Sequence, residues 1–407
     1  MGKRLEKDRG LVQLRIYYPD VLSREVKQNG TMTATNGYGS TYTVAEMAAG
    51  NIQIKGAGNS TWGEPKKPFN LTLCDSAYKK KLVNFLGMQP GSTYRFLADY
   101  YDASTCATLL AMDFAEDFED TALEVLGAEV SPKEWVPDCR KCELWINDAY
   151  QGVYTVIEKV ERDVSRVNIA KTDFLIEKQA LSQMSVDEGK FQDQVSGWWH
   201  SFKEPEFVAA DTVKMAPAKA RMEAMSDAIF NGPVLGYKDV VHYPTWWKYG
   251  LTQNQIFNPD GFENSMYYTL RMNEPRMRLN PFWDADVAFG IAGRVGWAGL
   301  DLDYSNPSQS YLPAKNPMYT KLFQDPVFEQ GFKTLFLAAL PRMHKTLAQF
   351  IRFTDELEAS GAPGRNFTKW PVADYRERVT LITNFMRQHI YWLTRRLYDV
   401  IPAKAVN

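Results

Sequence analysis

With 407 residues the chain exceeds what one hydrophobic core usually organises, so two lobes or domains sharing a cleft are expected. Hydrophobic residues at 45% and charged residues at 24% fit a globular protein, and a net charge of −2 excludes general attraction to nucleic acid or an anionic membrane surface. The aromatic share, 13% with 11 tryptophans, suits aromatic packing or a stacking surface.

The chain opens on MGKRLEKDRG, charged and with no hydrophobic signal region behind it, and Met1-Gly2 lacks the Ser or Thr at position 6 that myristoylation wants. No apolar run reaches the roughly 18 residues of a membrane span. The expectation is a soluble chain without signal peptide or membrane partner, cytoplasmic or particle-associated. From Leu11 to about Ile176, short runs rich in β-branched and aromatic residues read as strands: VQLRIYY, NIQIKG, FNLTL, YRFLADYY, CELWIN, GVYTVIEKV and DFLIEKQ. Asn147 and Asp148 mark a hairpin turn. Between NIQIKG and FNLTL lies a loop with Gly56, Gly58 and Gly63, the polar side chains of Asn59, Ser60 and Thr61, and the pair Lys66-Lys67. Glycines let backbone amides approach an anion closely, so the loop suits a phosphate, although it has neither P-loop nor dinucleotide spacing. Taken alone, the same residues read first as a plain Gly-rich hairpin turn.

One helix, ASTCATLLAMDFAEDFED, interrupts the strands, with Ser104 or Thr105 as its cap. The CxxC at Cys139 and Cys142 has no second CxxC or histidine pair beside it, so a reduced structural pair is expected rather than zinc. Asn29, Asn59, Asn70 and Asn366 stand in glycosylation sequons, which carry little weight without a secretory signal. After Gln179 the text turns polar to about Trp199, reading as a linker. Helical patterns follow in AKARMEAMSDAIFN, in a run expected to kink at Pro341, and in a last run with Val379, Ile382, Met386, His389 and Leu393 on one face. The expected organisation is therefore α+β, with residues 1–178 a strand-rich N-lobe carrying one helix and residues 179–407 a mainly helical C-lobe.

Within the second part, Asn258 to Gly290 reads as acid, hairpin, acid pair. A turn bearing Asp260 leads through Asn264 and Ser265 into a strand, a turn, a second strand, and then Asp284 and Asp286. Two strands joined by a tight turn bring both ends together, which is the logic of a kinase C-lobe: one Asp orients the acceptor hydroxyl, an Asn or Ser a few residues on binds metal, and a later Asp holds Mg²⁺. An Asp beside Gly is equally a turn former.

Several motifs in one order now resemble the CotH kinase family, across roughly residues 50 to 355. They are GNSTWGEPKKPFNLTL, NFLGM, LADYYDAST, YQGVYTVIEKVERDVSRVNI, DFLIEKQ, FKEPE, NPDGF and PFWDADVAFG. The resemblance implies a two-lobed atypical protein-kinase-like fold and an ATP- and Mg²⁺-dependent phosphotransferase acting on a protein. It implies Asp260 as the catalytic residue and Asp284, Asp286 and Ser265 as metal ligands. Asn59 and Ser60 would cover the nucleotide phosphates, with charge from Lys66 or Lys67, or from Lys159 partnered by Glu158. Where the family carries basic residues this chain has Ala57 and Ala107, followed by Thr108. The alternative is thus a catalytically weakened pseudokinase serving as a structural or interaction protein of a coat or particle. A third reading is a carbohydrate-binding module using Trp62, Trp198, Trp199, Trp246 and Trp247 as exposed platforms. Acceptor and oligomeric state leave no mark in the sequence.

Overall fold

The computed structural model describes residues 4–7, 10–19, 22–290, 316–371 and 374–399, so the Met1-Gly2 terminus lies outside the described residues. The chain is α+β, and it forms two units interleaved in sequence rather than divided at one point. The first comprises Met1–Asp113, Pro137–Val160 and Lys345–Thr383; the second comprises Phe114–Val136, Glu161–His344 and Asn384–Asn407.

The first unit is built on a closed seven-stranded barrel. Its strands are β1 (Val12–Tyr17), β2 (Gln28–Asn36), β3 (Gly50–Gly56), β4 (Phe69–Leu73), β5 (Thr93–Leu97), β6 (Cys139–Ile146) and β7 (Ala149–Glu158), joined in the order β1-β2-β3-β4-β5-β7-β6. Closure comes from parallel pairing of β1 with β6, Val12 opposite Cys142. Alternation drives it: Val12, Leu14 and Ile16 of β1, Ile52 and Ile54 of β3, and Tyr154 and Val156 of β7 meet in one core. The β6–β7 turn is made by Asn147 and Asp148, both at positive φ (47° and 62°), as a tight hairpin requires. Cys139 and Cys142 stand three apart within β6, which sends their side chains to opposite faces, and all four cysteines are buried and in no disulfide.

The second unit is largely helical and also contains a five-stranded antiparallel sheet that the expected helical C-lobe did not include. Its strands are β8 (Phe174–Lys178), β9 (Lys190–Gln192), β10 (Trp199–Glu204), β11 (Met266–Leu270) and β12 (Arg278–Leu279), in the order β12-β11-β8-β10-β9. The stretch read as a linker supplies β9 and leads into β10, and β8 belongs to this sheet, not to the barrel.

Helix α1 (Ala107–Leu126) starts in the first unit and ends in the second. Helices α2 (Thr212–Phe230), α3 (Tyr243–Gln255) and α4 (Pro317–Leu322) follow, then α5 (Pro326–Ala359), which stays helical through Pro341. Helix α6 (Ala362–Lys369) packs on β7 of the barrel: Asn366 accepts from the Val153 amide at 3.0 Å, and the Trp370 indole donates to the Gln151 carbonyl at 2.8 Å. Asn366 is buried, so its sequon marks packing. Helix α7 (Tyr375–Asp399) buries Val379, Ile382, Met386, His389 and Leu393; the flanking 372–373 and 400–401 lie outside the described residues. Trp246 and Trp247 are buried in α3, which removes them from any exposed platform. Among the described residues no helix is long and apolar enough to cross a membrane.

Candidate functional site

The acidic constellation lies wholly in the second unit. Every residue of α3 is buried, and the helix hands the chain to one helical turn, Pro259–Phe262, which carries Asp260. Pro259 fixes the entry dihedral, and the Gly261 amide donates to the Asn258 carbonyl. At Gly261 a Cβ would meet the Gln253 side chain at 2.1 Å, so only glycine lets the turn close against α3. Asp260 is half-buried and its Oδ1 accepts from Asn264 Nδ2 at 2.6 Å. Burial raises its carboxyl above the ordinary value; the Asn264 hydrogen bond opposes that rise, Glu263 adds to it and Lys178 counters it.

The chain then enters β11, turns, returns as β12 with Tyr268 opposite Leu279, and reaches Asp284 at φ 60°. Two bonds tie the ends of the hairpin together. Ser265 Oγ donates to Asp284 Oδ2 at 2.8 Å, and Asn258 Nδ2 donates to the Asp284 carbonyl at 2.9 Å. Asn258 is fully buried and its Oδ1 has no hydrogen-bond partner among the described residues, which leaves an acceptor beside Asp284. Asp286 is half-buried nearby in sequence. Among the described residues no group of three or more His, Cys, Asp or Glu side chains gathers to hold a metal. The oxygen donors here are two carboxylates, a hydroxyl and an amide carbonyl, a set that suits a hard cation whose remaining ligands are water or phosphate oxygens.

The nucleotide candidates lie in the first unit. Asn59 and Ser60 are exposed, with Asn59 Oδ1 accepting from Arg24 at 3.3 Å. Lys66 is 1% exposed; its Nζ donates to the Val153 carbonyl at 2.5 Å and to Asn366 Oδ1 at 3.1 Å, and it lies 4.6 Å from the Tyr154 ring centre. Burial pulls its ammonium down to about 7, against the attraction of Asp99. Lys67 is half-buried, donating to the Trp62 carbonyl at 2.6 Å with its charge 5.3 Å from that indole. Glu158 is fully buried and accepts from the Asp138 amide at 2.9 Å, while Lys159 is half-buried. Ala57 is buried, and the Ala107 amide donates to Asp102 Oδ2 at 2.9 Å, so neither position offers a cation.

A model of the family described as CotH kinase protein matches residues 52–393. The chain belongs to the CotH kinase family. No curated protein matches it. The CotH match takes in both the GNSTW loop and the acidic hairpin. Three side chains of this CotH chain were given no role from sequence: Asn258, Lys178, and Lys141. Lys141 is 1% exposed, donates to Thr155 Oγ1 at 2.8 Å and pairs with Asp99 at 3.0 Å.

Proposed function

We propose that this CotH kinase family member is a phosphotransferase that moves the γ-phosphoryl group of ATP to a Ser or Thr hydroxyl of a protein, with Mg²⁺. The observation that carries the reading is the junction of Asn258 and Ser265 with Asp284, which holds a metal-suited carboxylate against the ends of the segment bearing Asp260. Mg²⁺, when bound, would neutralise charge on the phosphates. Asp284 would hold it, with Asp286 and Ser265 adjoining. Asp260 would orient the acceptor hydroxyl and take its proton as the new P–O bond forms and ADP leaves. In the barrel unit, Asn59, Ser60, Lys67 and Lys159 are the proposed nucleotide contacts; Lys66 and Glu158, already held by protein partners, complete that set as supports.

A second reading rests on one specific observation. Ala57 and Ala107 take two positions where the family's basic residues would face phosphate, and Lys66 is committed to Val153 and Asn366. A cation facing phosphate stabilises charge that develops during transfer, so a member lacking two of them is a candidate pseudokinase acting through its surfaces. Calorimetric titration of ATP with Mg²⁺ or with EDTA, in wild type and Asp284→Ala, separates the two. Metal-dependent binding lost in Asp284→Ala, followed by labelled phosphate transfer lost in Asp260→Asn, supports the enzyme. No binding by folded wild type leaves the pseudokinase.

A further inference from the structure

The turn that carries Asp260 ends in carbonyls that one side chain collects. Lys178, the last residue of β8, donates from Nζ to the Phe262 carbonyl at 2.7 Å and to the Glu263 carbonyl at 2.8 Å. The same ammonium lies 3.7 Å from the Glu263 carboxylate and 4.3 Å from the centre of the Trp198 ring. The lysine is 3% exposed, so its charge is spent inside the protein. Carbonyls at the end of a helical turn have no partner within the turn, and a buried one must find a donor elsewhere. The register supplies it: β8 pairs with β11 with Lys178 opposite Met266, the residue after Ser265.

A second tie runs from the same strand exit. The Ala180 amide donates to Asn264 Oδ1 at 2.9 Å, while Asn264 Nδ2 donates to Asp260 Oδ1. Asp260 is therefore referenced to β8 twice, once through the carbonyls that follow it and once through its own carboxylate's donor. We propose that Lys178 is a positioning residue for Asp260, anchoring the 259–263 turn to the sheet and setting a positive charge at the end of the turn that carries the carboxylate. That the charge serves catalysis rests on the phosphotransfer reading above; the anchoring does not.

The electrostatics agree. A carboxylate that takes a proton from a hydroxyl must be ionised beforehand, and burial works against ionisation of Asp260. Among the described residues the charged and titratable groups about it are Glu263 on its own turn, Lys178 on β8 and Tyr249 on α3; of these, Lys178 favours the ionised form. Burial in turn pulls the Lys178 ammonium below its ordinary value, opposed by Glu263. Asp260 opposes that fall as well, and the two carbonyls and the indole face stand in for the water that the ammonium gives up.

The test uses the full chain with Lys178→Gln, Lys178→Met and Lys178→Arg. Amide hydrogen exchange by mass spectrometry over residues 256–266 should quicken at least tenfold in the neutral variants, with the barrel peptides unchanged. The Asp260 carboxyl, followed by ¹³C resonance in aspartate-labelled protein and assigned with Asp260→Asn, should titrate higher in the neutral variants and return toward wild type in Lys178→Arg. A loss of packing alone would not give that charge-dependent return. Unchanged exchange and an unmoved titration overturn the proposal. So does failure of both neutral variants to fold, since a residue on which the whole unit depends is not a local anchor. Neither reading needs phosphate transfer to be detected, so absence of transfer in wild type would count against the enzyme reading separately.

Discussion

At the scale of single residues, Ser265 and Lys66 illustrate two uses of one polar contact. Ser265 adopts φ 53° and spends its hydroxyl on Asp284 Oδ2. A hydrogen bond to a charged group is worth about 1.5–3 kcal/mol, so under the phosphotransferase proposal Ser265→Ala should weaken Mg²⁺-dependent ATP binding by about tenfold or more. Calorimetry at matched free Mg²⁺ reads this, and unchanged affinity would remove Ser265 from the proposed metal site. Lys66 instead bridges β7 and α6, so Lys66→Met removes the ammonium from the Val153 carbonyl and leaves Asn366 Oδ1 with the Val153 amide as donor, and should cost about 1–3 kcal/mol of stability. Its pH signature follows from an ammonium lowered to about 7 when folded and near 10.5 when unfolded. Between those values the unfolded chain binds the extra proton, so the lysine's destabilising contribution fades as pH rises from 7 to 10.5. Urea midpoints of wild type and Lys66→Met should therefore diverge over that window, and parallel curves would argue against a buried Lys66.

At the scale of elements, the β6–β7 hairpin and α6 depend on close approach at one glycine. Gly152 has φ 107°, and a Cβ there would fall 2.4 Å from Asn366 Oδ1. Gly152→Ala meets both backbone strain and a steric clash, and should cost about 1–3 kcal/mol while loosening α6. Faster amide exchange over 362–369 with the second unit unchanged is the expected result; an unaltered α6 would show that the hairpin yields instead. The same elements mark how far sequence reaches. Strands β1, β3 and β4 were legible because apolar residues alternate in them, and the 147–148 turn because Asn-Asp tolerates positive φ. Strand β2, QNGTMTATN, alternates in burial at Gly30 and Met32, but only Met32, with Ala34 partly buried, is an apolar side chain of that face, so its hydrophobic pattern is too sparse to read. Strands β9 and β10 are short and sit in polar text, and β8 carries no sign of which sheet it joins. Closure of the barrel needs the register of β1 on β6, which a period of two cannot encode. The hairpin between Asp260 and Asp284 was readable because its ends meet by construction of the turn. The partners of Lys178 and Lys66 were not, since they stand 84 and 300 positions away.

At the scale of the whole molecule, three of the four histidines govern response to acid. His200, His242 and His389 are buried, and burial lowers them to about 3, about 3 and about 4 from an ordinary 6.5. Their protons bind only after unfolding, so below pH 6.5 the unfolded chain holds more protons and stability falls as pH falls, by up to about 1.4 kcal/mol per pH unit for each. Glu119 works the other way: burial raises it to about 7 when folded, so protonation favours the folded state between about 4.5 and 7 and offsets one histidine. Against a typical stability of about 5–15 kcal/mol, the remainder makes mild acid strongly destabilising. His200 isolates the effect best. Its ring stacks on Phe191 at 5.3 Å and meets the edge of Tyr268 at 5.7 Å, and neither ring nitrogen has a hydrogen-bond partner. Phenylalanine keeps those contacts and discards two unsatisfied atoms, so His200→Phe should raise stability at pH 5 by more than at pH 7.5. Urea midpoints at the two pH values decide it: a gain larger in acid is the mark of a histidine buried neutral, and an equal gain at both would mean that His200 keeps its proton in the folded protein.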